Sequence, residues 1–431
     1  MPTNRFNKDL NTLLGATKPK LLAIAVSGGS DSIALLHLTS LWSKQSGIEI
    51  IVFSVNHNLR SESSEEISYV KDVTEKLGHK FYELSWNCGE NKAGLQERAR
   101  QGRYDLMSAK CLELGVNTLL TAHHMDDMLE TYLMRKAKKS GILGLSSSNC
   151  TFYNNIRILR PLFNFSKLDL IEYLQANDII WHEDHTNQSD IYERNRIRKE
   201  IASLSKSHKI ELENELSSIN KRAAILNEDL IIEMAESLQI NDCGFASIDL
   251  QRLVNSCIDI QIQMLNYILT IISGKSSLPR FRSIEKLLHK LSAPTNLRPV
   301  SLHGCILKLQ NNKLWIFRET SAIDSTQTKV SDLSGTWDNR FDILSKAKIN
   351  NYIGKLTLNE YVSIKDKIDL GSLKEESDNN HKLILFTLPV IKNIEKVIAI
   401  PHISYYDDCY DETAIKVVFK PNFISRFTHF V

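Results

Sequence analysis

Through its first 140 residues the chain alternates short apolar runs with longer amphipathic stretches. Residues 21–26 (LLAIAV), 48–55 (IEIIVFSV), 80–86 and 117–122 predict strands, the first two as continuous apolar runs of the kind buried on both sheet faces. Residues 33–42, 62–77, 95–114 and 124–136 predict the helices that follow them. This alternation is that of an α/β fold, a parallel sheet with helices on both faces. Pro161 and a loop over 146–166 interrupt the pattern, and helices return at 167–177 and 192–204. Over 209–238, Leu212, Leu216, Ile219, Ala223, Leu226, Leu230 and Met234 recur at helical spacing. They open a second, mostly helical part that continues through 258–272 and 283–291. Strand-like pieces follow at 301–309 and 313–319. The Ser- and Thr-rich stretch 320–331 reads as a linker, and β-rich runs at 383–387, 396–400 and 414–419 predict a small C-terminal domain.

A length of 431 residues allows two or three domains with a large core. The net charge of +2 means that any binding of nucleic acid rests on local basic patches. Seven Lys/Arg between 133 and 172 face only Asp169 and Glu172, and six between 271 and 300 (Lys275, Arg280, Arg282, Lys286, Lys290, Arg298) face only Glu285. Such stretches suit a phosphate backbone or a solubilising surface. Seven scattered cysteines without a Cys-x-x-Cys argue against a zinc ribbon, a cluster site or a redox pair, and for reduced thiols. The polar start and the lack of a long apolar run predict a cytoplasmic protein with no membrane partner.

Chemistry concentrates at the ends of predicted strands. Ser27-Gly28-Gly29-Ser30-Asp31-Ser32 lies between the first strand and its helix. Two glycines permit backbone geometry closed to other residues, and the amides of a helix start face an anion, so this turn can hold a polyphosphate. Asp31 would repel phosphate unless a divalent cation stood between them, which makes it a candidate Mg²⁺ contact. At the fourth strand, Thr121-Ala122-His123-His124-Met125-Asp126-Asp127 leads into Glu130-Thr131. Helical spacing pairs His123 with Asp127 and Asp126 with Glu130. This is an acidic patch facing the phosphate turn, able to hold a metal or accept a proton, or a capped helix with a solvated first turn; a transition-metal site of His123, His124 and Asp127 is a further reading. Arg100 and Arg103 share a face of one predicted helix and can clamp phosphate or carboxylate, or lie on a plain surface. Arg194 and Arg198 share a face of another. They suit RNA phosphate, or pair with Glu183 or Asp184.

Together, SGGSDS (27–32), VNHNLRSES (55–63), LQERARQGRY (95–104), TAHHMDDMLET (121–131), SGILGL (140–145), LRPL (159–162) and the block from WHED to RNRIR (181–198) resemble the tRNA(Ile)-lysidine synthetases, a family of the PP-loop ATP-pyrophosphatase superfamily. The resemblance covers about the first 200 residues, and the tail is similar only loosely, around 388–403. Residues 134–139 read MRKAKK where an Arg-Gly-type stretch is usual, and His185-Thr186-Asn187 replaces the commoner Pro-Ser-Asn. The resemblance implies a PP-loop (adenine nucleotide alpha-hydrolase-like) catalytic domain over 1–208, a mainly helical tRNA-binding domain over 209–320 and a small β-rich tRNA-binding domain over 345–431. It implies that ATP adenylates O2 of the wobble cytidine in the tRNA(Ile) with a CAU anticodon. The amine of free L-lysine then displaces AMP at C2, and codon reading changes from AUG to AUA. Asp127 would orient and deprotonate the amine, with His123 or Asp126 in support. Arg100 or Arg103 would hold the lysine carboxylate, and Arg194 and Arg198 would contact substrate. ATP and Mg²⁺ would sit at 27–32, and a homodimer is an assembly the resemblance allows. The rival readings are a PP-loop tRNA thiolase, for which isolated cysteines are a poor fit, an amide-forming relative, and a non-catalytic RNA-binding protein.

Overall fold

The computed structural model describes residues 2–56, 63–86, 95–182, 193–292, 298–324, 328–329, 334–345, 351–407 and 415–421. They fall into two compact units, Met1–Ile225 and Leu226–Phe430.

The first unit opens with α1 (Pro2–Leu14) and then alternates β1 (Leu21–Ala25), α2 (Ser30–Ser46), β2 (Glu49–Asn56), α3 (Ser63–Lys76), β3 (Lys80–Ser85), α4 (Leu95–Glu113), β4 (Thr118–Leu120) and α5 (Met125–Ala137). A short α6 (Ile142–Leu145) leads to β5 (Cys150–Tyr153), β6 (Ile156–Leu159), α7 (Lys167–Ala176), α8 (Glu193–Ser203) and the long α9 (Lys206–Ser237). The sheet runs β3-β2-β1-β4-β6-β5. All neighbours are parallel except β5, which pairs antiparallel with β6 at the edge. The loop expected over 146–166 therefore contains a hairpin. Its strands are four residues each and turn through Asn154 and Asn155, both at positive φ, too short for a period to register.

Alternation along β1 divides the core. Leu22 and Ile24 join Phe6, Ile33, Leu36, Trp42, Leu170 and Leu174 from α1, α2 and α7 on one face. Ala23 joins Ile51, Phe53, Tyr104, Met107 and Cys111 on the other, under α4. Helices thus cover both faces, as the apolar strands require. The strand order reverses between β1 and β4, and in open α/β sheets that crevice beyond the carboxyl ends is where ligands bind. Both chemical motifs of the sequence lie there.

The second unit carries a five-stranded sheet, β7-β8-β11-β10-β9, built from β7 (Leu238–Asn241), β8 (Phe245–Asp249), β9 (Val300–Leu302), β10 (Cys305–Gln310) and β11 (Lys313–Arg318). The expected helices are present as α11 (Ile258–Ser273) and α12 (Phe281–Leu291), preceded by a short α10 (Leu250–Asn255). The pattern missed β7 and β8, which hairpin directly onto the end of α9. The run 301–309 is split by a turn at His303 and Gly304, both at positive φ. Further on, small sheets and three short helices share one apolar cluster with Phe245, Trp315 and Phe317. Residues assigned from sequence to separate helical and C-terminal domains therefore share a core. Two buried arginines tie it: Arg318 and Arg340 both pair with Asp338, at 2.8 and 2.7 Å. Among the described residues no helix is long and apolar enough to cross a membrane, and five described cysteines are free thiols.

Candidate active site

The glycine turn after β1 is closed on itself. Gly28 has φ +93°, and a side chain there would also meet Val70 at 3.5 Å. The backbone N–H of Ser27 donates to Ser32 Oγ at 3.2 Å, and the Ser32 hydroxyl donates to the Gly29 carbonyl at 2.9 Å. Helix α2 begins at Ser30 rather than at 33, so Ser30, Asp31 and Ser32 form its first turn. Their backbone amides are the unpaired donors of a helix start. All three hydroxyls expected to face phosphate are engaged inside the loop: that of Ser32 by Gly29, that of Ser27 by Ser32 Oγ at 3.3 Å and that of Ser30 by Asp31 at 3.4 Å.

Asp31 projects from this turn. Its Oδ2 lies 3.0 Å from Lys167 Nζ and 3.5 Å from His124 Nε2. Burial pushes the Asp31 carboxyl up, but His124 and Lys167 together hold it below the usual range. His124 is the N-cap of α5 and is 6 % exposed. Its Nε2 also lies 3.5 Å from Asp127 Oδ2, and its Nδ1 lies 3.6 Å from Asp126 Oδ2. At these lengths the contacts are ion pairs rather than tight hydrogen bonds. Burial would depress the imidazole, yet Asp126, Asp31 and Asp127 raise it to about 10, so the ring is a cation among three carboxylates.

The expected pairings need correction here. His123 does not pair with Asp127. The helix begins at Met125, so His123 precedes it, and His124 stands three residues before Asp127. His123 Nδ1 instead lies 3.1 Å from Thr121 Oγ1. Burial, and then the charges of Arg160, Arg100, Arg103 and Arg194, lower its pKa well below the ordinary value and keep it neutral. Asp126 does not share partners with Glu130 either. Asp126 accepts the Lys167 backbone N–H at 2.7 Å and pairs with the Lys209 ammonium. Burial works against it, but His124, Lys209 and that N–H hold it far below the carboxylate range.

Asp127 accepts the His124 backbone N–H at 3.2 Å and Arg194 Nη2 at 3.0 Å. Glu130, 2 % exposed, accepts Arg194 Nε and Arg198 Nε, both at 2.7 Å. Helix α8 is thereby clamped to α5, and Met128, Leu129, Tyr132, Ile201 and Leu216 pack beneath. The first turn of α5 is not a solvated cap: Asp126 and Asp127 are each 16 % exposed. Arg100 and Arg103 lie over the Tyr104 ring at 5.4 and 5.7 Å. Glu183, Asp184 and most of 55–63 lie outside the described residues. Sequence reasoning considered His124 only as a metal ligand and Arg160 and Lys167 only as part of a basic stretch, and it passed over Lys209, which reaches Asp126 from 83 residues away with no local signal.

The site thus has a closed anion turn and a cation–carboxylate knot at its mouth. An arginine-rich wall lies beyond. Asp31 offers oxygen ligands at a point that already draws two cations, which fits Mg²⁺. No group of three or more His, Cys, Asp or Glu among the described residues is arranged to hold a metal.

Against known proteins, residues 2–204 match the PP-loop domain family. Over the whole chain, similarity runs to proteins named tRNA(Ile)-lysidine synthase. That of Rickettsia bellii is 44 % identical over 430 residues, 99 % of this chain and 99 % of that protein. That of Rickettsia prowazekii is 45 % identical over 430 residues with the same coverage. That of Rickettsia akari is 44 % identical over 428 residues, again 99 % of each.

Proposed function

The chain belongs to the tRNA(Ile)-lysidine synthase family, and from that premise we propose that the knot of Asp31, His124 and Asp127 is where adenylation and lysine transfer meet. The enzyme consumes ATP and forms lysidine in tRNA(Ile), changing its codon from AUG to AUA. A tRNA substrate fits a cytoplasmic location.

In the first step the wobble cytidine leaves its loop stack to reach the nucleotide. Its O2 attacks the α-phosphorus of ATP, and the bond to pyrophosphate breaks. The first-turn amides of α2 face the charge that gathers on the leaving group, and His124 and Lys167 stand beside it as cations. Mg²⁺, held by Asp31 and phosphate oxygens, would supply further neutralisation of that charge. In the second step the ε-amine of free lysine forms a bond to C2, and AMP departs with the electron pair of the C2–O2 bond. The ammonium has a reference pKa of about 10.4 and must shed a proton to attack. Asp127 orients it and accepts a proton as the C–N bond forms, when the nitrogen becomes far more acidic. Arg100 or Arg103 faces the lysine carboxylate. Arg194 and Arg198, clamped by Glu130, hold Asp127 in place and border the substrate.

One observation carries this reading. Asp31 of the nucleotide turn and Asp127 of α5 both lie 3.5 Å from the same His124 Nε2. A chase experiment tests it. The enzyme, unmodified tRNA(Ile) and ATP labelled in the adenine are incubated without lysine, and label should become attached to RNA. Adding lysine should release it as AMP. Labelled RNA that never forms, or that lysine does not discharge, contradicts the two-step scheme.

A further inference from the structure

We infer that Arg160 is a substrate-binding residue that, with Arg103, holds the α-carboxylate of the incoming lysine. This deepens the proposed function and rests on it. In the register of the sheet, Leu120 of β4 pairs with Leu159 of β6. The Thr121 N–H then donates to the Leu159 carbonyl at 2.9 Å. Arg160 therefore leaves β6 beside Thr121-Ala122-His123, at the mouth of the ligand crevice. Its backbone N–H donates to the Asn149 carbonyl at 2.8 Å, and Nη1 donates to the Ser148 carbonyl. Its Nε, however, is buried with no hydrogen-bond partner. A buried donor left unpaired carries its desolvation cost without return, which marks it as awaiting an acceptor.

The surroundings say what kind of acceptor. Arg160, Arg100, Arg103 and Arg194 all act on His123. Of these, Arg194 is matched by Asp127 and Glu130. Arg103 has no carboxylate partner among the described residues and rests over the Tyr104 ring. The wall therefore holds more guanidinium than acid and suits an oxyanion, which planar arginines bind bidentately. Beside it stands Asp127, whose charge reaches Arg160. An acid next to a cationic wall matches a ligand with an ammonium at one end and a carboxylate at the other. A backbone phosphate of the tRNA is the other source of the same chemistry.

The test uses the full-length enzyme and two amines, lysine and 1,5-diaminopentane, which is lysine without its carboxylate. Arg160→Gln should raise the KM for lysine at least tenfold while changing that for the diamine less than twofold, so the preference for lysine collapses. Arg160→Lys, which keeps a charge, should fall between and serves if the glutamine variant folds poorly. Adenylation without lysine is the folding control. An unchanged KM for lysine, or an equal loss for both amines, overturns the assignment. So does a rise in the KM for tRNA alone, which would give the oxyanion to RNA. If the wild type transfers neither amine, the lysidine reading itself falls and takes this assignment with it.

Discussion

Asp127 is held on three sides, by the His124 backbone, the His124 ring and Arg194, so its carboxylate is fixed before any amine arrives. Asp127→Asn should lower lysine transfer 100-fold or more, within the range of a positioned general base, while adenylation persists. A single-turnover assay separates the two steps, and equal loss of both would show that the role is structural. The two histidines should part company. His124→Gln leaves three close carboxylates without their imidazolium and should abolish ATP-dependent adenylation, whereas His123→Gln should cost under tenfold. Fluorescence titration with an ATP analogue should report the same contrast. Pattern alone favoured His123, because a four-residue spacing is easy to see. The N-cap position of His124 carried the better clue, since a cap points its side chain back at the first turn. A third histidine bears on pH. His402 packs edge-on to Phe341 at 5.0 Å, and burial depresses it to about 4. The unfolded chain takes up this proton first, near 6.5. Stability from this group is therefore complete above that value and is lost as the pH falls towards 4, by about 3 kcal/mol. Urea titrations at pH 7 and 4.5 should show a loss of stability that His402→Gln reduces, the remainder belonging to other depressed groups such as His123.

At the scale of elements, the nucleotide turn was legible because everything it needs is local. A strand, two glycines and a helix start are adjacent in the chain, and Gly28 at φ +93° explains why glycine stands there. The β5–β6 hairpin was not legible. Each strand has four residues, and Arg160 gains its place only when β6 pairs with β4. The joining of α8 to α5 was half legible. Sequence placed Arg194 and Arg198 on one face and offered Glu183 or Asp184, which lie outside the described residues, but gave no sign of Glu130, a partner 64 and 68 residues away. Removing that acid leaves Arg194 on Asp127 at 3.0 Å and Arg198 3.9 Å from the same carboxylate, a weaker clamp. Glu130→Gln should therefore loosen α8, raising hydrogen exchange over 193–203 at least tenfold while β1 and β2 stay protected. Unchanged exchange would mean that the apolar contacts of Ile201 hold the helix by themselves.

At the scale of the molecule, each unit has its own core, and a role for the second in reading tRNA beyond the wobble base is a prediction to be tested. Helix α12 buries Ile284, Leu287, Leu288 and Leu291 and exposes Arg282, Lys286 and Lys290 along its outer side. Reversing these three charges should weaken tRNA binding, lower the salt slope by about 3 and leave the KM for ATP unchanged. A fall in ATP affinity instead would count against a separate RNA surface. The shared core of the second unit was beyond sequence reading, because Arg318, Asp338 and Arg340 meet only in three dimensions and each looks like a surface residue alone. On the proposed reading the crevice between β1 and β4 activates a cytidine for attack by an amine. The most direct test is mass analysis of the wobble nucleoside after incubation of the protein with ATP, lysine and unmodified tRNA(Ile). The expected product is cytidine plus lysine less one water, formed only when ATP is present and not on initiator tRNA. An unmodified cytidine, or sulfur in its place, would contradict the account.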